Sequence, residues 1–228
     1  MPSLLPQDLG TLTLTLTLAS ITTLLLLVIG TPLAWWLAFT RSRIRVVVES
    51  LVALPLVLPP TVLGFYLLVI FAPSTPVGSF WRDLFGEPLP FSFTGLVVAS
   101  MLYSLPFVIQ PLQRAFEEVG HKPLEAAWTL GASPLRAFFD VALPMAARGY
   151  VTAAVLSFAH TLGEFGVVLM VGGNIPGRTQ VLSIVIYDHV ESLAYDQAHL
   201  LSAILLGFSF LALLIVYSWG RRPVERAS

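Results

Sequence analysis

The chain contains no cysteine. Disulfides, thiolate metal sites and palmitoyl attachment are therefore excluded. Its only lysine is Lys122, preceded by His121, so no Gly-Lys pair exists. The phosphate-cradling loop G-x-x-x-x-G-K-[ST] is ruled out with it. The four histidines, His121, His160, His189 and His199, show no H-E-x-x-H spacing, and no serine sits in a G-x-S-x-G elbow. These absences remove the commonest hydrolytic enzymes. His189 lies beside Asp188 and near Glu191; the trio reads as a solvated acidic loop rather than a cation site. Charge is scarce as well: 11% of 228 residues are charged, against about 25% in soluble domains. With a net charge of −1, nothing calls for a nucleic-acid partner.

What remains is apolar. Hydrophobic residues make up 56% of the chain, and mean hydropathy is +0.84. Residues 9–40, 50–81, 88–113 and 197–220 carry no Asp, Glu, Lys or Arg, and 149–172 is interrupted only by Glu164. A spanning helix needs roughly 20 apolar residues. Five spans are expected, at about 11–38, 50–71, 93–115, 149–172 and 197–219, in one all-α polytopic membrane domain over residues 1–228. "TLTLTLTL" (Thr11 to Leu18) alternates with the period of a strand. A lone strand in lipid leaves its backbone unpaired, so the prediction is a helix whose threonines bond back to the preceding turn. The run is too long for a secretory signal and lacks a basic start, so no signal peptide is expected.

Ten of the twelve basic residues fall on one side of these spans: Arg41, Arg43, Arg45, Arg114, Lys122, Arg136, Arg148, Arg221, Arg222 and Arg226. Arg82 and Arg178 fall on the other. The positive-inside rule puts the ten in the cytoplasm of a cell membrane, with the N-terminus outside and the C-terminus inside. Only "GRRPVERAS" follows the fifth run, and no C-terminal regulatory domain is expected. Mid-helix prolines (Pro32, Pro55, Pro59, Pro60, Pro106 and Pro111) predict kinks.

The cytoplasmic stretch "EAAWTLGASPLRAFFDVALP" (Glu125 to Pro144) looks soluble. Pro123 suits a first helical turn, Gly131 a left-handed helix end, and Ser133-Pro134 the cap and first position of a second helix. Leu135, Phe138, Phe139 and Ala142 should share one face, with Arg136 and Asp140 paired on the other. The result is a helix–turn–helix against the inner membrane surface, presenting Ala126, Ala127 and Trp128. An amphipathic helix that only anchors a loop to lipid is the plainer alternative.

Glu125-Ala126-Ala127, then Gly131, then Val141-Ala142-Leu143-Pro144 resembles the cytoplasmic loop of ABC-importer permeases, with Val141 where that family commonly has Ile. The resemblance implies a coupling helix docking on a separate ATPase subunit, through Glu125, Ala126, Ala127, Trp128, Gly131, Ala132 and Ser133. "LPLVLPPTVLGFYLL", "SLPFVIQPLQRAFEEV" and "TLGEFGVVLMVGGNIPGRTQ" are similar to the molybdate branch, and sulfate and thiosulfate permeases are close cousins. His160 departs from that branch, which usually has Arg there. The family implies a homodimer with its pathway between two permease chains, two ATP-binding cassette subunits beneath, and an extracytoplasmic oxyanion-binding protein delivering molybdate or tungstate. ATP and Mg would bind the ATPase; this chain would bind no cofactor and catalyse nothing.

Among the polar residues, Glu164 stands out, because an ionised group deep in a span costs about 2.5–3.5 kcal/mol on insertion scales. His160 lies one turn earlier on the same face. His160, Thr161, Glu164 and Gly166 are the candidate pathway or gate residues, with Gly163 and Gly166 allowing close helix approach. Glu164 held by hydrogen bonds in the bundle, with no further role, is the alternative. Asn174 and Arg178, in the external "GGNIPGRTQ", could meet the anion or a delivering protein; a solvated loop is the alternative. No Lys or Arg lies deep in a span, so a hydrated pathway lined by Ser, Thr and backbone groups is expected. A sulfate permease, or a self-sufficient secondary transporter, remains an open alternative.

Overall fold

The computed structural model describes residues 6–220. Arg221, Arg222, Arg226 and the expectation about the C-terminal tail lie outside the described residues. Within them the chain is helical, with no strand. The helices are α1 (Pro6–Phe39), α2 (Ile44–Val57), α3 (Pro60–Phe71), α4 (Pro76–Phe85), α5 (Phe93–Val119) and α6 (Lys122–Thr129). Then follow α7 (Pro134–Ala137), a π turn over Phe138–Ala142, α8 (Leu143–Met145), α9 (Ala147–Leu162), α10 (Gly166–Gly172), α11 (Leu182–Glu191) and α12 (Tyr195–Gly220).

Among the described residues three helices, within α1, α5 and α12, are long and apolar enough to cross a membrane, and up to five spans result if each of two bent helix pairs counts as one. The residues expected to form the second span instead fall on α2 and α3, which meet at 115°. Pro60 opens α3 at its first position and Pro59 precedes it in an extended conformation, because a proline disfavours helix in the residue before it. Pro32, Pro55, Pro106 and Pro111 stay inside continuous helices. The expected fourth span is also divided: α9 ends at Leu162 and α10 starts at Gly166. The helical segment Pro134–Met145 and α9 meet at 69° and pass as a span only as a bent pair, as α2 and α3 do.

The threonine prediction holds. Thr13, Thr15 and Thr17 donate to the carbonyls of Leu9, Thr11 and Thr13 at 2.9, 2.8 and 2.7 Å. Thr15 also accepts from the Leu182 backbone N–H at 2.9 Å, which ties α11 to α1.

α5 is the central helix, packed against α1, α2, α9 and α10. Val108, Ile109, Leu112 and Phe116 join Leu26 and Leu37 of α1 and Ala153 of α9 in the main core. Lipid offers no hydrophobic reason for helices to associate, so close approach by small residues matters. A Cβ at Gly149 of α9 would lie 2.3 Å from the Ala115 Cβ of α5, and one at Gly64 of α3 would lie 2.7 Å from the Met170 Cβ of α10. At the helix ends, Arg45 of α2 bonds Glu49 at 2.8 Å and Glu117 of α5 at 2.6 Å. Gln113 donates to both carboxylates.

Candidate functional site

The break between α9 and α10 carries Glu164 inside the bundle, its side chain fully shielded. Ser100 and Ser104, one turn apart on α5, donate to its two oxygens at 2.5 and 2.8 Å. His160 Nδ1 stands 3.5 Å from Glu164 Oε1 and 2.9 Å from Ser104 Oγ. Thr161 Oγ1 lies 3.0 Å from the same hydroxyl. Ser183 of α11 donates to the Glu164 carbonyl. The structure thus joins His160, Thr161 and Glu164 in one network. Gly166 abuts it: a Cβ there would lie 2.8 Å from the Pro60 Cβ. Gly163 does not take part, since a Cβ there would meet only carbonyls of its own helix, at 3.8 and 3.9 Å.

Two cavities open on the face formed by α5 and α9. The first, about 500 Å³, is lined by Pro60, Thr61, Tyr103, His160, Glu164 and Gly166 among others. The second, about 530 Å³, is lined by Gln110, Arg114, Glu118, Arg148 and Thr152, with Phe107 and Leu156 at its border. Phe107 stacks on the His160 ring at 4.1 Å, and Tyr103 lies 4.7 Å from it. The Phe107 ring of the second cavity thus stacks on the His160 ring of the first; the first cavity also holds Glu164, and the second holds Arg114, Arg148 and Glu118.

The stretch from Glu125 to Pro144 folds largely as its sequence suggests. Gly131 has φ +87°, its N–H bonds the Trp128 carbonyl at 2.9 Å, and the Ala132 N–H bonds the Ala127 carbonyl at 3.0 Å. This pair of bonds is a Schellman closure of α6. Ser133 accepts from the Arg136 N–H at 3.3 Å, and Arg136 meets Asp140 at 3.1 Å. The expected apolar face forms, with its members buried to different degrees. The π turn adds a residue to the helical repeat, so Ala137 and Ala142 are buried with Leu124 and Phe138 packs beside them. Leu135 and Phe139 are exposed, and with Phe138 they line one apolar cavity beside Trp35 and Trp128. Glu125, Ala126, Trp128, Gly131 and Ser133 are exposed, and Ala127 and Ala132 half-buried. Leu130, between them, is 88% exposed.

Residues 30–227 match the family described as the binding-protein-dependent transport system inner membrane component. The chain belongs to that family. It is 59% identical over 212 residues to the molybdenum transport system permease protein ModB of Azotobacter vinelandii, covering 93% of this chain and 94% of that protein. Identity to the sulfate transport system permease protein CysT of Synechocystis sp. is 33% over 198 residues, covering 86% and 69% of the two chains. In fold it resembles a chain from the crystal structure of a bacterial ABC transporter involved in the import of the acidic polysaccharide alginate. The TM-score is 0.73 at 17% identity, over 96% of this chain and 82% of that one. The chain is an all-α membrane permease with the ABC-importer fold.

At the other end of this permease, Asn174 donates to Asp188 at 2.8 Å and accepts from Gln180 at 2.7 Å. Asn174 braces the loop, while exposed Arg178 stands 3.5 Å from Glu87. Asp188, His189 and Glu191 lie on α11, not in the loop expected for them. No group of three His, Asp or Glu among the described residues is arranged to hold a metal. The sequence reading missed Ser100 and Ser104, and with them Phe107, Arg114 and Arg148. Glu164 itself was the available signal, since a buried carboxylate requires donors on a neighbouring helix.

Proposed function

We propose that this chain is the membrane permease of an ATP-driven importer of molybdate or tungstate. The 59% identity to a molybdenum permease across nearly the full length of both chains carries the reading. In this reading residues 1–228 form one permease domain in the inner membrane, with the N-terminus outside and the C-terminus in the cytoplasm. Two copies enclose the pathway. The α5–α9 face supports it as the wall, with His160, Thr161, Glu164 and Gly166 in the outer chamber and Phe107 as the constriction. The exposed surface from Glu125 to Ser133 supports docking of two separate ATP-binding cassette subunits, which hold ATP and Mg; this chain catalyses nothing itself. A binding protein delivers the anion from outside, and Arg178 and Asn174 are placed at the external end of the fold for it to meet.

The competing substrate is sulfate, whose permeases are related at 33% identity. The test is import into liposomes by the assembled complex, with molybdate, tungstate and sulfate offered in turn. Import of molybdate or tungstate that requires ATP and the binding protein is expected. Preference for sulfate would replace the substrate, and uptake without any ATPase would replace the mechanism.

A further inference from the structure

Residues three or four apart share one face of a helix. On α5 such a stripe runs through Gln110, Arg114 and Glu118, and on α9 through Arg148 and Thr152; all of them line the second cavity, of about 530 Å³. Gly149 is what brings the two stripes together. A Cβ there would lie 2.3 Å from the Ala115 Cβ, so the close approach of α9 to α5 at this level requires glycine. Arg114 and Arg148 are the sequence neighbours of that contact pair, and the approach delivers both guanidinium groups to one space.

Four other arginines, Arg45, Arg82, Arg136 and Arg178, are engaged by carboxylates. Arg114 and Arg148 are not: neither side chain has an ion pair or a hydrogen bond among the described residues. Glu117, the carboxylate three residues beyond Arg114, is held by Arg45 at 2.6 Å and by Gln113 at 3.1 Å. Glu118 lines the cavity without closing on either guanidinium. The Gln110 amide is likewise without a side-chain partner among the described residues, whereas Thr152 gives its proton to the Arg148 carbonyl at 3.0 Å. The cavity thus presents two guanidinium forks and an amide as donors, against one carboxylate. A guanidinium keeps its charge at any working pH, and its planar fork matches two oxygens of an oxyanion at once.

We infer that Arg114 and Arg148, with the Gln110 amide, form a binding site for a tetrahedral oxyanion beyond Phe107. The site grips such dianions as a class, because a guanidinium reads the oxygens and not the central atom. Glu118 leaves it one net positive charge, which suits a station that must release what it holds. Its place as the inner station of the pathway rests on the permease reading above; the site itself rests on the cavity. Two sources offer the same chemistry, the transported oxyanion and the phosphate of a lipid headgroup.

Because the chain has no cysteine, Thr152→Cys places a single thiol in the cavity. The complete complex carrying it is treated with N-ethylmaleimide, a neutral reagent, in detergent and in phosphatidylglycerol vesicles, and the labelling rate of this chain is read by mass. Molybdate and sulfate should each slow labelling, and potassium chloride at equal ionic strength should not. Adding Arg114→Gln and Arg148→Gln should raise the half-protecting molybdate concentration by about tenfold or more. The rate without anion shows whether the cavity survives those changes; if it does not, Arg148→Gln alone decides. Absence of protection, equal protection by chloride, or protection unaltered in the Gln variants overturns the inference. Labelling that vesicle lipid alone suppresses, with no further effect of molybdate, gives the site to a headgroup phosphate and overturns its place on the pathway. Import by the unsubstituted complex is measured alongside: protection without any import keeps the site and sinks the permease reading instead.

Discussion

Gly131→Val tests the proposed coupling loop through the backbone alone. Gly131 sits at φ +87° and a Cβ there meets nothing within 4 Å, so any side chain has room and the cost is conformational. An ordinary L-residue loses about 1–2 kcal/mol in the left-handed region, whereas Asn visits it routinely. A β-branched residue lies at or above the top of that range. With 1.4 kcal/mol equal to a factor of ten, Val depopulates the native turn by about tenfold or more. Asn should stay within about threefold of Gly. The turn orients α6 against α7 and leaves Trp128 and Leu130 exposed, so the loss should reach the ATPase and not the spans. The assay compares Gly131→Val with Gly131→Asn in the reconstituted complex, reading ATPase co-purification and molybdate import per ATP. Val is expected to lose at least about tenfold in one or both, with unchanged helical content and detergent-extracted yield. Equal import by the Val and Asn variants would refute the reasoning, because the two differ chiefly in tolerance of that φ.

Leu130→Asp should leave stability within about 0.5 kcal/mol, since the residue is exposed. It should weaken ATPase co-purification about tenfold or more, the value of one apolar side chain lost from an interface; undiminished co-purification would remove Leu130 from the docking surface. Glu164→Ala strips the acceptor from two buried hydroxyls, Ser100 and Ser104, at about 1–3 kcal/mol each. The variant should remain inserted but import poorly, and normal uptake at matched expression would sink the role given to Glu164. Gly149→Val forces a side chain into Ala115 and should cost about 1–3 kcal/mol of overpacking, seen as a lower melting temperature in detergent. Ala115→Gly should restore part of that loss, and no restoration would mean the strain lies elsewhere.

Features set by local chemistry were legible in the sequence. Thr13 and Thr15 reach their own preceding turn, and Gly131 and Ser133 close and open helices with their own backbone neighbours. The His160–Glu164 contact was readable because the two residues stand four apart in sequence. What the sequence hid depends on distant segments. Ser100 and Ser104 are 64 and 60 residues from Glu164, and nothing in α5 marks those serines apart from others. The π turn at Phe138–Ala142 has no composition cue. Pro59 and Pro60 announced a disturbance, but Pro106 and Pro111 sit in an unbroken helix. Proline alone did not tell a break from a tolerated bend.

The contact between Pro60 and Gly166 has a consequence for how this chain can change over generations. It locks together the interruptions of two separate helices, since a Cβ at 166 would press on the Pro60 ring at 2.8 Å. A methyl group gained at position 166 requires volume given back at position 60, so the two sites form one epistatic unit with non-additive effects. Drift at either position alone meets a barrier that the pair, changing together, avoids.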